Sequence, residues 1–145
     1  MASKLKVLVV SAEVSPLAKV GGLADVAGSL PKALAASGVD ARIVMPGYRM
    51  VLENSSHPAE DANLAWDVPG AGGVTRTAHM WKTSLDGVDA WLVGCDEYFG
   101  GATESRKVYQ AGADAYIFFC RAVLEWLERF SPKWKPDIIH VNDWH

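Results

Sequence analysis

Leu5-Lys6-Val7-Leu8-Val9-Val10-Ser11, followed by Gly21-Gly22 and then by Leu23, Val26, Ala27, Leu30 and Leu34, decides the fold. The first run is short, rich in valine and apolar almost without interruption, the pattern of a strand buried on both faces of a parallel sheet. The second set is apolar at helical spacing and closes at Gly38, a residue suited to a C-terminal cap. Pro31 inside that helix lacks an N–H and crowds the carbonyl of Ala27, which predicts a kink. Ala41-Arg42-Ile43-Val44-Met45 reads as a second strand, ended by Pro46-Gly47. Residues Met1–Gly47 therefore form a βαβ unit, right-handed by the crossover rule.

Outward from this unit the pattern loosens. Glu53–Asn63 is polar enough to predict an exposed loop. Thr75–Thr83 and Val88–Gly94 are strand-like runs joined through Asp86-Gly87, a tight-turn pair, so an antiparallel hairpin is expected, followed by a glycine-rich loop at Gly100-Gly101. Tyr116, Phe119, Cys120, Val123, Leu127 and Phe130 recur three or four apart and predict a helix over Ala113–Phe130, stopped by Pro132 and Pro136. Asp137-Ile138-Ile139-His140-Val141-Asn142 reads as a last short buried strand. The sum is a three-layer α/β domain with a mainly parallel sheet, whose ligand site belongs at the carboxyl ends of the strands. Two segments meet that criterion, Lys19–Leu23 and Asn142–His145.

Composition narrows the functions. The 145 residues match one domain, and 50% hydrophobic with 21% charged residues supports a real core. Fourteen Lys plus Arg against 17 Asp plus Glu give a net charge of -3 with no basic run, which argues against a nucleic-acid partner. Cys95 and Cys120 lack a C-x-x-C spacing, so neither a disulfide framework nor a zinc site is indicated. Val7–Val10, the longest apolar stretch near the start, is too short to cross a bilayer and carries no signal-peptide flanks, so no membrane association and a reducing, cytoplasmic setting are expected.

Lys19-Val20-Gly21-Gly22-Leu23 puts a cation and two glycines before a helix, where free N–H groups and the helix dipole favour an anion such as phosphate. It fits neither the Walker pattern nor G-x-G-x-x-G, and a glycine pair before a helix is also an ordinary turn. His140-Val141-Asn142-Asp143-Trp144-His145 gathers hydrogen-bonding side chains at a strand's end, suited to a sugar or carboxylate. Alternate strand residues face apart, so His140 and His145 do not converge on a metal; a core role for His140 is the simpler reading. Glu13 is a lone acid after the first strand, a helix-capping or loop carboxylate. The six tryptophans suit sugar stacking, though core or edge packing explains most of them.

Ser11-Ala12-Glu13-Val14-Ser15-Pro16, Lys19-Val20-Gly21-Gly22-Leu23-Ala24-Asp25-Val26, Leu30-Pro31 and Gly38-Val39-Asp40-Ala41-Arg42-Ile43-Val44-Met45-Pro46 resemble the amino-terminal end of bacterial glycogen synthases and plant starch synthases. Trp134-Lys135-Pro136-Asp137-Ile138-Ile139-His140-Val141-Asn142-Asp143-Trp144-His145 is similar to their H-x-H-D-W-H segment. The match runs end to end, dense in the first 47 residues and the last dozen, loose between.

The resemblance implies a retaining glucosyltransferase, without metal or cofactor, moving glucose from ADP-glucose or UDP-glucose to an α-1,4-glucan across two Rossmann-like domains in the GT-B arrangement. Residues 1–145 would be an incomplete amino-terminal, acceptor-side domain, inactive alone, with the carboxyl-terminal nucleotide-sugar domain absent. Lys19 would approach the donor phosphates, Gly21 and Gly22 would present N–H groups to diphosphate and glucose, and Asn142 and Asp143 would line the substrate. His145 matches the motif histidine near the transferred glucose. Three departures stand out: the length; Ala111 and Ala115 where the family has aspartate and arginine, with Asp114 placed to substitute; and Asn142 for a motif histidine. The two alanines also suit a second reading, a non-catalytic glucan-binding or regulatory module. An unrelated nucleotide-binding or response-regulator-like protein would need more acids after the first strand than Glu13. A sheet ending at His145 leaves a strand edge through which copies could associate.

Overall fold

The structure, a computed structural model, describes residues 2–131 and 133–145. The opening pattern folds as it reads: β1 (Lys6–Val10), α1 (Gly22–Ala36) and β2 (Asp40–Pro46) make a parallel unit, with Val7 opposite Ala41 and Val9 opposite Ile43. Gly38 adopts φ 90° just past α1, a conformation that costs an L side chain, and its N–H caps the Ala35 carbonyl at 3.0 Å. Pro31 is buried within α1, which runs on through it to Ala36.

A six-stranded sheet forms in the order β3 (Glu60–Pro69), β4 (Thr75–Leu85), β5 (Val88–Gly94), β2, β1, β6 (Ile138–Val141). Its inner half is parallel: β2 pairs β5 and β1 pairs β6. Its outer half is an antiparallel meander of β3, β4 and β5. The β1-to-β2 and β5-to-β6 crossovers run in opposite directions along the sheet, so right-handed connections place α1 and α4 (Gly112–Arg129) on opposite faces. Val7 to Val10 and Ile43 to Pro46 are accordingly buried on both sides. Two short helices, α2 (Arg49–Leu52) and α3 (Asp96–Phe99), are tied by Arg49, whose guanidinium reaches the Gly100 carbonyl and the Asp96 carboxylate, both at 2.7 Å. No helix among the described residues is long and apolar enough to cross a membrane.

Four expectations change. The loop foreseen over Glu53–Asn63 gives way at Glu60 to β3, so the hairpin becomes three strands. Ala62, Leu64, Trp66 and Val68 face inward at period two, a pattern hidden by intervening Asn63, Asp67 and a bulge between Asp61 and Leu64. Cys120, assigned to the buried stripe of α4, is exposed; Ala115, Phe118, Ala122 and Trp126 complete the buried face instead. The helix ends at Arg129 with Pro136 well beyond it, while Pro132 lies outside the described residues. The last strand is not buried: all four residues of β6 are exposed, His140 with them, because β6 is an edge strand and no helix among the described residues covers it.

Candidate functional site

After Val10 the chain makes a tight loop before α1. Val14 and Ala18 each donate an N–H to the other's carbonyl, at 3.1 and 2.9 Å, and the Ser15 N–H reaches the Ala24 carbonyl at 2.9 Å. Ser11 Oγ donates to the Glu13 carbonyl at 2.7 Å. The loop therefore lies directly on α1.

This folding carries Glu13, only 4% exposed, beneath the turn that opens α1. Its Oε2 accepts the N–H of Val20 at 2.7 Å and of Gly21 at 3.0 Å, and its Oε1 accepts the hydroxyl of Tyr109. A carboxylate thus sits as an internal anion where unpaired N–H groups and the helix dipole attract negative charge. Gly22, the first residue of α1, is left facing outward. Lys19 pairs instead with Asp25, its Nζ at 2.8 Å from both carboxylate oxygens in an exposed pair.

The tail after β6 meets the same cluster from the other side. The Tyr109 ring stacks on His145, with centroids 4.5 Å apart and 19° between planes, and Tyr116 and Trp144 enclose the imidazole further. His145 Nδ1 is buried and finds no hydrogen-bond partner among the described residues. Burial lowers the His145 pKa below 6.5, against the opposing pull of Asp143 and Glu13, so the ring is neutral near pH 7. Behind it Tyr48 donates to the Ala12 carbonyl at 2.8 Å and meets Tyr116 at 3.1 Å, while Tyr116 donates to the Val108 carbonyl at 2.9 Å. Burial pushes the Tyr116 hydroxyl up to about 12; burial and then the bond to Glu13 raise Tyr109 as well, so both remain donors at neutral pH. A recess of about 320 Å³ opens beside His145, lined by Ala113, Tyr116, Ile117, Cys120 and Trp144 among others.

The structure therefore joins Gly21 to His145 through Glu13 and Tyr109. Other candidates stand apart from that join. Asn142 Nδ2 donates to the Val10 carbonyl at 3.0 Å and the His140 carbonyl at 3.3 Å, closing the ends of β1 and β6. Asp143, at φ 61°, is exposed and accepts the Trp144 N–H at 2.8 Å. Asp114 is exposed in the first turn of α4; Ala111 caps that helix half-buried, and Ala115 is wholly buried. Tyr109, the residue that links both halves, carries no signal in the sequence: it lies outside any periodic run, and its partner is 96 positions away.

Residues 6–145 match the family model described as the starch synthase catalytic domain. The glycogen synthase of Moorella thermoacetica is 44% identical over 151 residues, covering 99% of this chain and 28% of that protein. That of Clostridioides difficile is 37% identical, covering 97% and 29%. Among solved structures, the catalytic domain of starch synthase IV from Arabidopsis thaliana, bound to ADP and acarbose, superposes with a TM-score of 0.82 at 28% identity, over 98% of this chain and 28% of that one. The chain spans less than a third of the length of these relatives.

Proposed function

Because the chain belongs to the starch synthase catalytic-domain family, a family of glycosyltransferases, we propose that it forms the amino-terminal, acceptor-side part of a retaining glucosyltransferase that moves glucose from ADP-glucose or UDP-glucose to an α-1,4-glucan. One observation carries this reading. A Cβ at Gly21 or Gly22 would meet nothing within 4 Å, and neither residue has a positive φ. At Gly22, the exposed first residue of α1, that open space leaves the backbone N–H accessible to a ligand seated on the turn, which supports the reading.

The chemistry follows from the arrangement. The reaction expels a nucleoside diphosphate, and its growing charge is stabilised by groups held in place beforehand. Gly22 offers an N–H at the positive end of α1, and Lys19 supplies a cation, shared with Asp25 until an anion arrives. Neutral His145, held in its aromatic collar, offers a hydrogen bond to the hydroxyls of the transferred glucose. Asn142 and Asp143, in the same tail, would add hydrogen bonds to the substrate, and Asp114, exposed in the first turn of α4, would supply a carboxylate. In this reading the carboxyl-terminal, nucleotide-holding domain of a GT-B pair completes the site, turnover requires it, and the protein is cytoplasmic.

A second reading draws on Ala115, which packs into the core and offers no charge: a glucan-binding module that has lost donor chemistry. Titrating the ¹⁵N-labelled chain with maltotriose and then ADP-glucose tests both. The enzyme reading expects maltotriose shifts around Asn142–His145 and ADP-glucose shifts at Lys19, Gly22 and Leu23. Maltotriose shifts alone would favour the module, and a well-dispersed spectrum unmoved by either would refute both.

A further inference from the structure

Glu13 occupies the position that an anion-binding turn offers to its ligand. Of the N–H groups presented at the start of α1, those of Val20 and Gly21 already point at its carboxylate, at 2.7 and 3.0 Å. The side chain is 4% exposed and pinned on its other oxygen by Tyr109. A phosphate cannot take those two donors without displacing a buried carboxylate, and its own charge would be repelled at short range. Beyond them lie the outward-facing Gly22 and the exposed ammonium of Lys19.

We propose that Glu13 is a specificity-determining residue of this site: an internal anion that closes the inner half of the turn and confines a phosphate-bearing ligand to Gly22 and Lys19. The inference rests on the glucosyltransferase reading for the ligand's class and adds to it a division of labour between the two glycines. Gly21 serves the loop through Glu13, whereas Gly22 serves the ligand. Tyr109 is a positioning residue here, since its hydroxyl partly neutralises the carboxylate and its ring fixes His145 beside it.

The test is a ¹⁵N titration of the chain with inorganic phosphate at low ionic strength, on wild type, Glu13→Gln and Tyr109→Phe. In wild type the Gly22 and Leu23 amides should move and those of Val20 and Gly21 should not. Glu13→Gln keeps an acceptor for both N–H groups but removes the charge, so phosphate should bind on the order of tenfold more tightly. Tyr109→Phe keeps the stacked ring but leaves the carboxylate less compensated, so binding should weaken about twofold. Opposite signs from two near-isosteric variants are not what a merely structural brace would give, since loosening the turn by either route would weaken binding. Wild-type shifts at Val20 and Gly21 equal to those at Gly22, or weaker or unchanged binding in Glu13→Gln, would overturn the proposal. Absence of phosphate binding in all three proteins would overturn it too; maltotriose shifts around His145 in the same samples would then show the glucan part of the functional reading still standing.

Discussion

At the scale of single residues, glycines show how far a sequence can be read. Gly21-Gly22 stands out in the sequence as a pair, yet packing in the fold requires neither. Gly28, unremarkable within a helical pattern, is pressed by backbone: an added Cβ would lie 2.4 Å from the Ser15 carbonyl oxygen. That contact joins residues that a helical wheel cannot relate. Gly28→Ala must lift the loop that holds Glu13 and should destabilise the chain by about 1–3 kcal/mol, seen as a lower urea midpoint at unchanged m-value. Gly22→Ala, in open space at the first helical position, should leave stability within about 0.5 kcal/mol of wild type while reducing the ADP-glucose shifts. Equal losses of stability in the two variants would contradict this assignment of roles. Glu13 and Tyr109 illustrate the same limit: one reads as a loop acid and the other as nothing in particular, because their meaning is a contact across the sheet's carboxyl edge.

Elements whose signal is local were legible. The stripe of α4 fixed that helix to within a residue at each end, and Asp86-Gly87 located the β4–β5 turn. Both turn residues take positive φ, 49° and 84°, the mirror-image turn that matches the twist of a hairpin. An alanine at Gly87 has space around it but must hold that φ, so Gly87→Ala should cost about 1 kcal/mol in a thermal or urea melt; no loss would mean the turn relaxes to another type. β3 is not legible, because its inward residues alternate with Asn63, Ala65 and Asp67, its first two residues are acids, and a bulge interrupts the alternation. The exposure of β6 is hidden for a related reason: Ile138-Ile139-His140-Val141 has the composition of an inner strand, and composition does not report which strands border it.

At the scale of the whole molecule, the order of elements sufficed for the α/β class and for putting both motifs at the carboxyl ends of the strands, while their junction through Glu13 and Tyr109 depends on the sheet placing β1 beside β6. That same placement leaves the two edges of the sheet unlike each other. The β3 edge is guarded by a bulge, by Glu60, Asp61 and Asp67, and by Pro69, devices that discourage pairing with another sheet. The β6 edge has no bulge and exposes Ile138, Ile139 and, at 67%, Val141, with Trp144 beyond. Its outward N–H and carbonyl groups offer a template to a second copy, whose β6 can pair antiparallel about a twofold axis. The chain on its own should therefore associate at the high concentrations used for spectroscopy, and sedimentation velocity should show a monomer–dimer equilibrium. Val141→Lys, which puts a charge on that edge, should hold the protein monomeric with its fold intact. A wild-type chain that stays monomeric throughout would show that four residues of open strand are too few to pay for the entropy of pairing.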